Sequence, residues 1–517
     1  MNDTGNWSLI FDLGDVIFNW SPKVGQSDLS IHLLKEVQST EIWRQYICGL
    51  VQEVECYRQI ASRFAITPTE VAEIFDKARQ TISLNMDVYN FVKSLKKQYP
   101  GISHIYIMSN VSVVDWGYLQ NVRGFACDVF DDIFVSCAMG ACKPELKSYK
   151  YLLQKTRVDP SRAVLIDNKT ENILAARSLG IHGIIFDSLS SLDQALLNLL
   201  SDPEKRGLSF LTSNSKRLHS VTSNGMEIRD NFSQLLIYEA TGVLDMLDLE
   251  WHEKTWNYFI GSQNLISGHY PDDLDTTCLA LVVLPRNPPA AQAVMSEILD
   301  FTTSDGIFMT YFDSSRPRTD PAVCVNVLRF FYRYGHGEDK VLLPTKDWIY
   351  GTLLHRAYLD GTRYYSSPDV FLFYLSRLLW ENPDTEIQRS TQSLLTDRLK
   401  ERCNTEGNAI ELSMRIIACR MLAIEKSSEM DKMKLLNLQE RDGGWPVSWL
   451  CRTGKANVHI GNRGVATALA VHSIADWGNT QKSESGVKYS RWGFTHLFRY
   501  LDVQRVTRHR YDLRRRE

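Results

Sequence analysis

Short, continuous apolar runs alternate with helical patterns over the first two hundred residues, and this feature constrains the fold most strongly. Strands without a polar face fit a parallel sheet that helices cover on both sides. The runs lie at residues 8–12, 104–109, 163–167 and 182–186. The first part of the chain is therefore predicted to be an α/β domain.

Two stretches interrupt this alternation. Residues 24–95 have helical patterns with no strand between them, which predicts a helical cap carried on the sheet domain. Between residues 201 and 225 the sequence becomes polar and rich in Pro, Gly, Ser and Asn, which is typical of a domain boundary. We therefore assign residues 1–205 to the first domain and residues 206–222 to a linker.

The remaining residues, 223–517, have almost no strand pattern, and amphipathic or buried helices follow one another between short loops. Helices in such a series bury their apolar faces against each other, which predicts an all-α domain of packed antiparallel helices. A chain of 517 residues is long enough for both domains, because an ordinary domain has roughly 100–200 residues. The chain is thus predicted to be multidomain.

Composition excludes several classes of protein. A net charge of −3 gives no electrostatic case for a nucleic-acid binder. No apolar run approaches the roughly 18 residues that a membrane span needs. Residues 1–5 have no basic region followed by an apolar stretch, so we expect no secretory signal. The ten cysteines include no CxxC pair, which indicates reduced thiols. We expect a cytoplasmic protein, and the sequence leaves open whether it forms a homo-oligomer.

Three polar residues, Asp12, Ser109 and Asp167, each end a predicted parallel strand. Ligands of open α/β sheets bind at the carboxyl ends of the strands. An aspartate at such a position can attack phosphorus, helped by a divalent cation, and Lys143 could neutralise charge on the phosphoryl group. The pattern indicates phosphate chemistry; acids that merely cap loops in an unrelated α/β domain are the structural alternative.

Four motifs around these residues resemble the haloacid dehalogenase-like superfamily, nearest to the phosphatase domains related to epoxide hydrolases. In chain order they are Phe11–Val16, Ser109-Asn110, Lys143-Pro144 and Ile166–Asn168. The resemblance implies a haloacid dehalogenase-like fold with a helical cap. It also implies Mg²⁺ as a cofactor, with Asp12 and Asp167 as the candidate metal ligands.

Two departures from the superfamily pattern predict a degenerate phosphatase site. Gly14 stands where active relatives have an aspartate that protonates the leaving group, and Asp15 lies one residue further along. On an extended segment this slip turns the side chain to the opposite face. Asn168 stands where a second acid is usual, and a neutral amide binds a hard cation less tightly.

A second acidic motif, Asp272-Asp273-Leu274-Asp275-Thr276-Thr277, precedes an apolar helix pattern. Like-charge coupling and burial oppose ionisation of both Asp273 and Asp275, so one of them could keep its proton. Thr276 can hydrogen-bond the pair and begin the helix. This arrangement suits the protonation of an alkene in a dry site; an acidic helix cap is the structural alternative.

The second part of the chain resembles class II terpene cyclases from about residue 224 to residue 477. It contains their aspartate motif in the DxDTT form and, at residues 439–445, a match to the QW motif, which we interpret as structural. The resemblance implies an α/α-barrel. It also implies that Asp275 delivers the proton, supported by Asp273.

The diphosphate that class II chemistry leaves intact needs cationic partners. The candidates for substrate binding lie in the loops that match the family and after the QW motif, and each could instead be an ordinary surface residue. They are Arg316, Arg318, Arg363, Tyr365, Lys455 and Arg463.

The fusion of these two domains resembles fungal and bacterial drimane-type sesquiterpene synthases. The resemblance implies protonation-initiated cyclisation of farnesyl diphosphate to a bicyclic drimane-type diphosphate, which a separate phosphatase would then hydrolyse. A bifunctional cyclase-phosphatase that releases drimenol or albicanol is also compatible with the sequence. So are a class I cyclase, which would ionise the diphosphate through Mg²⁺ at the aspartate motif, and a non-catalytic binding protein.

Overall fold

The protein is described by a computed structural model that covers residues 6–20, 28–261, 270–453 and 458–475. It divides into two compact units, Met1–Leu200 and Ser201–Glu517. The first unit is α/β and the second is largely helical, so the predicted fold class is confirmed.

The first unit is built on a five-stranded parallel sheet with the order β5-β4-β1-β6-β7. The strands of this unit are β1 (Trp7–Phe11), β2 (Phe18–Asn19), β3 (Ser83–Leu84), β4 (Ile102–Ser109), β5 (Asp132–Val135), β6 (Ala163–Asp167) and β7 (His182–Ile185). Phe11 pairs with Ile107 and Ile166 on the two neighbouring strands, so the three carboxyl ends are level. The order reverses at β1, and ligands of open sheets bind at such a switch point.

Helices surround this sheet and form a separate cap. They are α1 (Asp28–Gln38), α2 (Glu41–Ile47), α3 (Glu53–Phe64), α4 (Pro68–Gln80), α5 (Met86–Gln98), α6 (Val113–Leu119), α7 (Ser136–Met139), α8 (Leu146–Thr156), α9 (Thr170–Arg177) and α10 (Leu189–Leu200). The cap has its own core, to which Trp43, Tyr57 and Phe75 contribute.

The predicted cap, residues 24–95, is longer than the observed one. Val88 and Val92 of α5 are buried in the core beneath the sheet and not in the cap core. Strand β3, which pairs with β2, also interrupts the stretch that was predicted to be wholly helical. Two-residue strands carry too little periodicity to be recognised in a sequence.

The second unit consists of helices and one small antiparallel sheet. Its helices are α11 (Pro203–Ser213), α12 (Asn231–Thr241), α13 (Leu274–Val283), α14 (Pro288–Ile298), α15 (Pro321–Arg333), α16 (Leu343–Leu354), α17 (Pro368–Glu381), α18 (Glu386–Arg402), α19 (Ala409–Met421), α20 (Glu429–Asn437) and α21 (Arg463–Ile474). The sheet has the order β10-β11-β8-β9. Its strands are β8 (Ser220–Thr222), β9 (Glu227–Ile228), β10 (Trp449–Arg452) and β11 (His459–Asn462).

Six of these helices form a closed inner ring. Each of α12, α13, α15, α17, α19 and α21 packs against the next, and α21 returns to α12. Helices α16, α18 and α20 pack on the outside of this ring. The inner helices are buried over almost their whole circumference; α13, for example, is buried from Leu274 to Val282. This arrangement is an α/α-barrel.

The boundary between the units differs from the predicted one. Helix α11 occupies much of the predicted linker, residues 206–222, and packs against α21 within the second unit. Gly207 allows this approach, because a Cβ atom there would lie 2.4 Å from Val471 Cγ2. Polar residues surround Leu208, Phe210 and Leu211 in the sequence, so the helical pattern was not recognised there. These three buried side chains anchor α11. In the part of the chain that the structure describes, no helix has the length and apolar character of a membrane span.

Candidate active sites

The acidic motif of the second unit lies at the start of inner helix α13. Asp273 caps this helix, and its Oδ1 accepts a hydrogen bond from the Thr276 backbone N–H at 2.7 Å. Asp275 follows in the first turn, and both carboxyl groups are buried. Burial raises the pKa of Asp273 well above its usual range and raises the pKa of Asp275 to about 6. Asp275 therefore keeps its proton up to a higher pH than an ordinary aspartate does.

Two donors hold the Asp275 carboxyl group. The Asn326 side-chain amide donates to Oδ1 at 2.6 Å, and the Tyr365 hydroxyl donates to Oδ2. Both hydrogen bonds favour the carboxylate and lower the pKa against the effect of burial. Tyr365 was predicted to bind substrate, whereas in the structure it binds the acid.

A buried charge cluster lies behind Asn326. The Arg377 guanidinium donates to Asn326 Oδ1 at 3.0 Å and pairs with Glu239. Glu239 also pairs with Arg329 at 2.6 Å, and Arg329 pairs with Glu381 at 2.5 Å. Burial opposes ionisation of Glu239, but its two arginines outweigh burial and lower its pKa. The cluster links α12, α15 and α17 across the inside of the barrel.

Sequence reasoning did not identify Asn326, Arg377 or Glu239. Each lies on a mostly apolar helix, and Asn326 has apolar neighbours on both sides, in Val-Cys-Val-Asn-Val-Leu. A buried polar group needs a partner, so an isolated polar residue in such a helix is a usable sequence signal. The partner, however, lies on another helix of the ring.

The remaining acid of the motif, Asp272, has different partners. Its carboxylate accepts hydrogen bonds from Thr255 Oγ1 at 2.5 Å and from Asn257 Nδ2 at 3.2 Å. In the described ranges, no three or more His, Cys, Asp or Glu side chains are grouped so that they could hold a metal ion.

Two of the predicted cationic residues lie by the same aromatic side chain. The Arg363 guanidinium lies 5.9 Å from the Tyr364 ring centroid, and Arg318 interacts electrostatically with Tyr364 and Tyr311. Asp273 bridges to Tyr311 through the backbone, so Arg318 belongs to the surroundings of the acidic motif. Arg316 forms an ion pair with Asp313 at 3.2 Å.

Arg463, another of the predicted cationic residues, does not join this group. The Arg463 guanidinium pairs with Asp442 at 2.6 Å and donates to the Trp445 carbonyl at 3.1 Å, so it belongs to the QW motif. Its assignment to substrate binding is not supported, because its charge is already compensated there. Lys455 lies outside the described residues.

The predicted phosphate site of the first unit is assembled at the switch point of the sheet. Asp12 Oδ1 accepts hydrogen bonds from Ser109 Oγ and the Leu13 N–H, both at 2.7 Å. Lys143 Nζ lies 3.1 Å from Asp12 Oδ1 and 2.5 Å from Asp167 Oδ2. Asn172 donates to both oxygens of Asp167. The structure thus brings the four sequence motifs together.

A cavity of about 610 Å³ opens at this site, and Asp12, Gly14 and Asp15 line it. The expected position of Asp15 on the opposite face is wrong. Asp15 has a φ of 56° and is therefore not in an extended strand, so alternation along a strand does not apply. Its Oδ1 accepts the Trp20 N–H at 3.3 Å, and burial raises its pKa.

The fit of Mg²⁺ to this site is weak. Lys143 binds both predicted metal ligands, Asp12 and Asp167, and its charge replaces the charge that a cation would supply. Asn168 Oδ1 is a buried oxygen without a hydrogen-bond partner among the described residues, but it is neutral. Oxygen donors suit Mg²⁺, but Lys143 already compensates one of the two negative charges of Asp12 and Asp167.

Comparisons with known proteins match both units. A family model described as the sesquiterpene cyclase astC-like C-terminal domain matches residues 204–334. Drimenol cyclase drtB of Aspergillus calidoustus is 39% identical over 482 residues, which are 93% of this chain and 89% of that protein. Sesquiterpene phosphatase astK of Aspergillus oryzae is 30% identical over 183 residues, which are 35% of this chain and 91% of that protein.

Among solved structures, a HAD family enzyme of Bacteroides thetaiotaomicron in complex with magnesium and inorganic phosphate is 21% identical. The match covers 36% of this chain and 99% of that one, with a TM-score of 0.29.

Proposed function

Because this chain belongs to the sesquiterpene cyclase family that includes drimenol cyclase drtB, we propose that it cyclises farnesyl diphosphate by protonation to a drimane-type diphosphate. One observation carries the proposal. Asp275 is a buried acid with a pKa of about 6, placed inside a helical barrel and held by two hydrogen-bond donors. Such an acid can give a proton to an alkene and is stabilised as the carboxylate that remains.

The reaction follows from this placement. Asp275 transfers its proton to one carbon of the terminal alkene, and the neighbouring carbon becomes a cation. Two successive attacks by the remaining double bonds close two rings, and loss of a proton from the final cation restores neutrality. Tyr365 and Asn326 stabilise the Asp275 carboxylate throughout. Aromatic rings around the acid, such as Tyr374 beside Tyr365, stabilise cations by roughly 0.5–2 kcal/mol each.

The diphosphate is not broken in this reaction, so the protein must hold it as an anion. Arg318 and Arg363 are the candidates that lie by Tyr364, near the acidic motif. Arginine suits this role because its planar group of donors matches the oxygens of a phosphate.

Substitution of Asp275 tests the proposal. Asp275→Asn keeps the hydrogen bond to Tyr365 but has no acidic proton, so turnover of farnesyl diphosphate should be lost while the circular dichroism spectrum is unchanged. Asp272→Asn is the matched control in the same motif, because the Asp272 carboxylate accepts its hydrogen bonds from Thr255 and Asn257. Near-normal turnover by Asp275→Asn would refute the proposal. Release of free diphosphate by the wild type would point to class I chemistry.

We further propose that the first unit contributes little hydrolysis, so that the diphosphate is released and a separate phosphatase forms the alcohol. Gly14 has no side chain to protonate a leaving group, and general acid catalysis is typically worth about 10²–10⁴-fold. Weak binding of Mg²⁺ by Asp12 and Asp167 belongs to the same proposal, because a cation must first displace Lys143 from both.

A bifunctional enzyme that releases drimenol or albicanol is the second candidate. Asp15 favours it, since this acid lines the same cavity as Asp12 and could replace the missing proton donor. The names of the two relatives, a drimenol cyclase and a sesquiterpene phosphatase, agree with an alcohol product. The identity of the main product, alcohol or diphosphate, decides between the two candidates.

A further inference from the structure

A hydrogen bond from Arg377 fixes the orientation of the Asn326 side-chain amide. Its Oδ1 accepts a hydrogen bond from Arg377 at 3.0 Å, and its Nδ2 donates to Asp275 at 2.6 Å. The guanidinium group can only donate. Were the amide turned over, its N–H groups would face the arginine and its oxygen would face the Asp275 carboxyl group. Arg377 therefore determines that Asn326 donates to the acid.

Arg377 also supports the second donor. Its guanidinium carbon lies 4.2 Å from the Tyr374 ring centroid, and the Tyr374 ring meets the Tyr365 ring edge-on at 5.6 Å. Tyr365 is the residue that donates to the other oxygen of Asp275. Arg377 is fully buried, and Glu239 holds its other amino group. Both contacts of the acid are thus connected to one fixed guanidinium group.

We propose that Arg377 is a positioning residue of the cyclase: it holds Asn326 as a donor to Asp275 and so strengthens the acid that protonates the alkene. This inference rests on the proposed function of Asp275. Arg377 touches neither Asp275 nor, in this mechanism, the substrate, and it acts through Asn326.

The groups that act electrostatically on Asp275 come from several elements of the barrel. They are Asp273, Cys278, Asp320, Cys324, Tyr365, Tyr374, Arg377 and Cys451. Asp320 raises the pKa of Asp275, and Arg377 lowers it. Among these described groups, Arg377 is the only cation. Its removal should therefore raise the pKa of Asp275 and make it a weaker acid.

The pH dependence of kcat distinguishes this role from a purely structural one. Activity requires protonated Asp275, so kcat falls as pH rises through its pKa. In Arg377→Gln we expect this falling limb to move upward by about one pH unit or more, a tenfold change in acid strength. We also expect the plateau of kcat to drop by about 10- to 100-fold. Arg377→Lys, which keeps the charge, should recover part of both effects.

Arg415→Gln is the matched control. Arg415 is equally buried in the same unit but pairs with Asp369 and Asp431. Its loss should therefore lower thermal stability and leave the falling limb of the kcat profile at the same pH. Asn326→Ser is a second test that does not depend on the folding of Arg377→Gln. It removes the amide that links Asp275 to Arg377 and leaves both arginines paired with Glu239. The falling limb of the kcat profile should therefore move in the same direction.

Three results would overturn the inference. In the first, kcat falls in Arg377→Gln but the falling limb of its pH profile stays in place. In the second, the limb stays in place in Asn326→Ser. In the third, it moves equally in Arg415→Gln. Failure of the proposed function is distinguishable, because it would appear as turnover by Asp275→Asn. If Asp275→Asn is inactive and the falling limb of the kcat profile does not move in Arg377→Gln, only the role of Arg377 is refuted.

Discussion

Removal of the Tyr365 hydroxyl should weaken the acid without disturbing the barrel. Tyr365 is only 2% exposed, and its hydroxyl donates to Asp275 Oδ2. Its ring contacts the rings of Phe232 and Tyr374, with centroids 6.3 Å and 5.6 Å away. Phenylalanine keeps these ring contacts, so Tyr365→Phe removes one hydrogen bond and almost nothing else.

The size of the effect follows from the charge of the acceptor. A hydrogen bond to a charged group contributes about 1.5–3 kcal/mol, which corresponds to about 10- to 150-fold in kcat. One pKa unit corresponds to about 1.4 kcal/mol, so the pKa of Asp275 should rise from about 6 by about one to two units. Because the protonated acid is the active form, the falling limb of the kcat profile should move to higher pH by the same amount.

Steady-state formation of the cyclised diphosphate, measured at saturating farnesyl diphosphate from pH 5 to pH 9, tests both expectations. Tyr358→Phe is the control, because Tyr358 is an equally buried tyrosine whose ring stacks on Phe371 at 5.2 Å. It should change neither kcat nor the pH limb. A normal kcat in Tyr365→Phe, or a reduced kcat with an unmoved limb, would refute the assignment of Asp275 as the acid that Tyr365 tunes.

Two further predictions concern the structural motif and the first unit. Trp445→Phe removes the hydrogen bond from Nε1 to the buried Leu435 carbonyl at 2.7 Å, so the free energy of unfolding should fall by about 1–3 kcal/mol. Thermal unfolding would show this loss; normal stability with reduced kcat would instead argue for a role in the reaction. Asp12→Ala should not alter the product, which mass spectrometry of the purified enzyme's reaction should identify as a diphosphate. An alcohol that disappears in this variant would establish the bifunctional alternative, and Gly14→Asp should then increase hydrolysis.

The sequence alone was sufficient to predict the fold class of each unit and where the acids of each candidate site lie in it. Continuous apolar runs predicted the parallel strands, and polar residues at their ends predicted the meeting of Asp12, Ser109 and Asp167. The reason is geometric, since parallel neighbours must end at one edge of a sheet. Asp273 and Asp275 were predictable because the whole motif lies within one helical turn.

Features that depend on the approach of distant segments were decided only by the tertiary structure. The contacts that lead from Asp275 through Asn326 and Arg377 to Glu239 use side chains from four helices. No local sequence pattern predicts which helix faces pack together when the ring closes. Asp15 lines the same cavity as Asp12 because its backbone is left-handed, whereas the sequence led us to expect an extended strand there. Arg463, which was predicted to bind substrate, pairs with Asp442 in the QW motif. A charged side chain goes to whichever partner the packed backbone brings within reach, and a sequence pattern alone does not contain that distance.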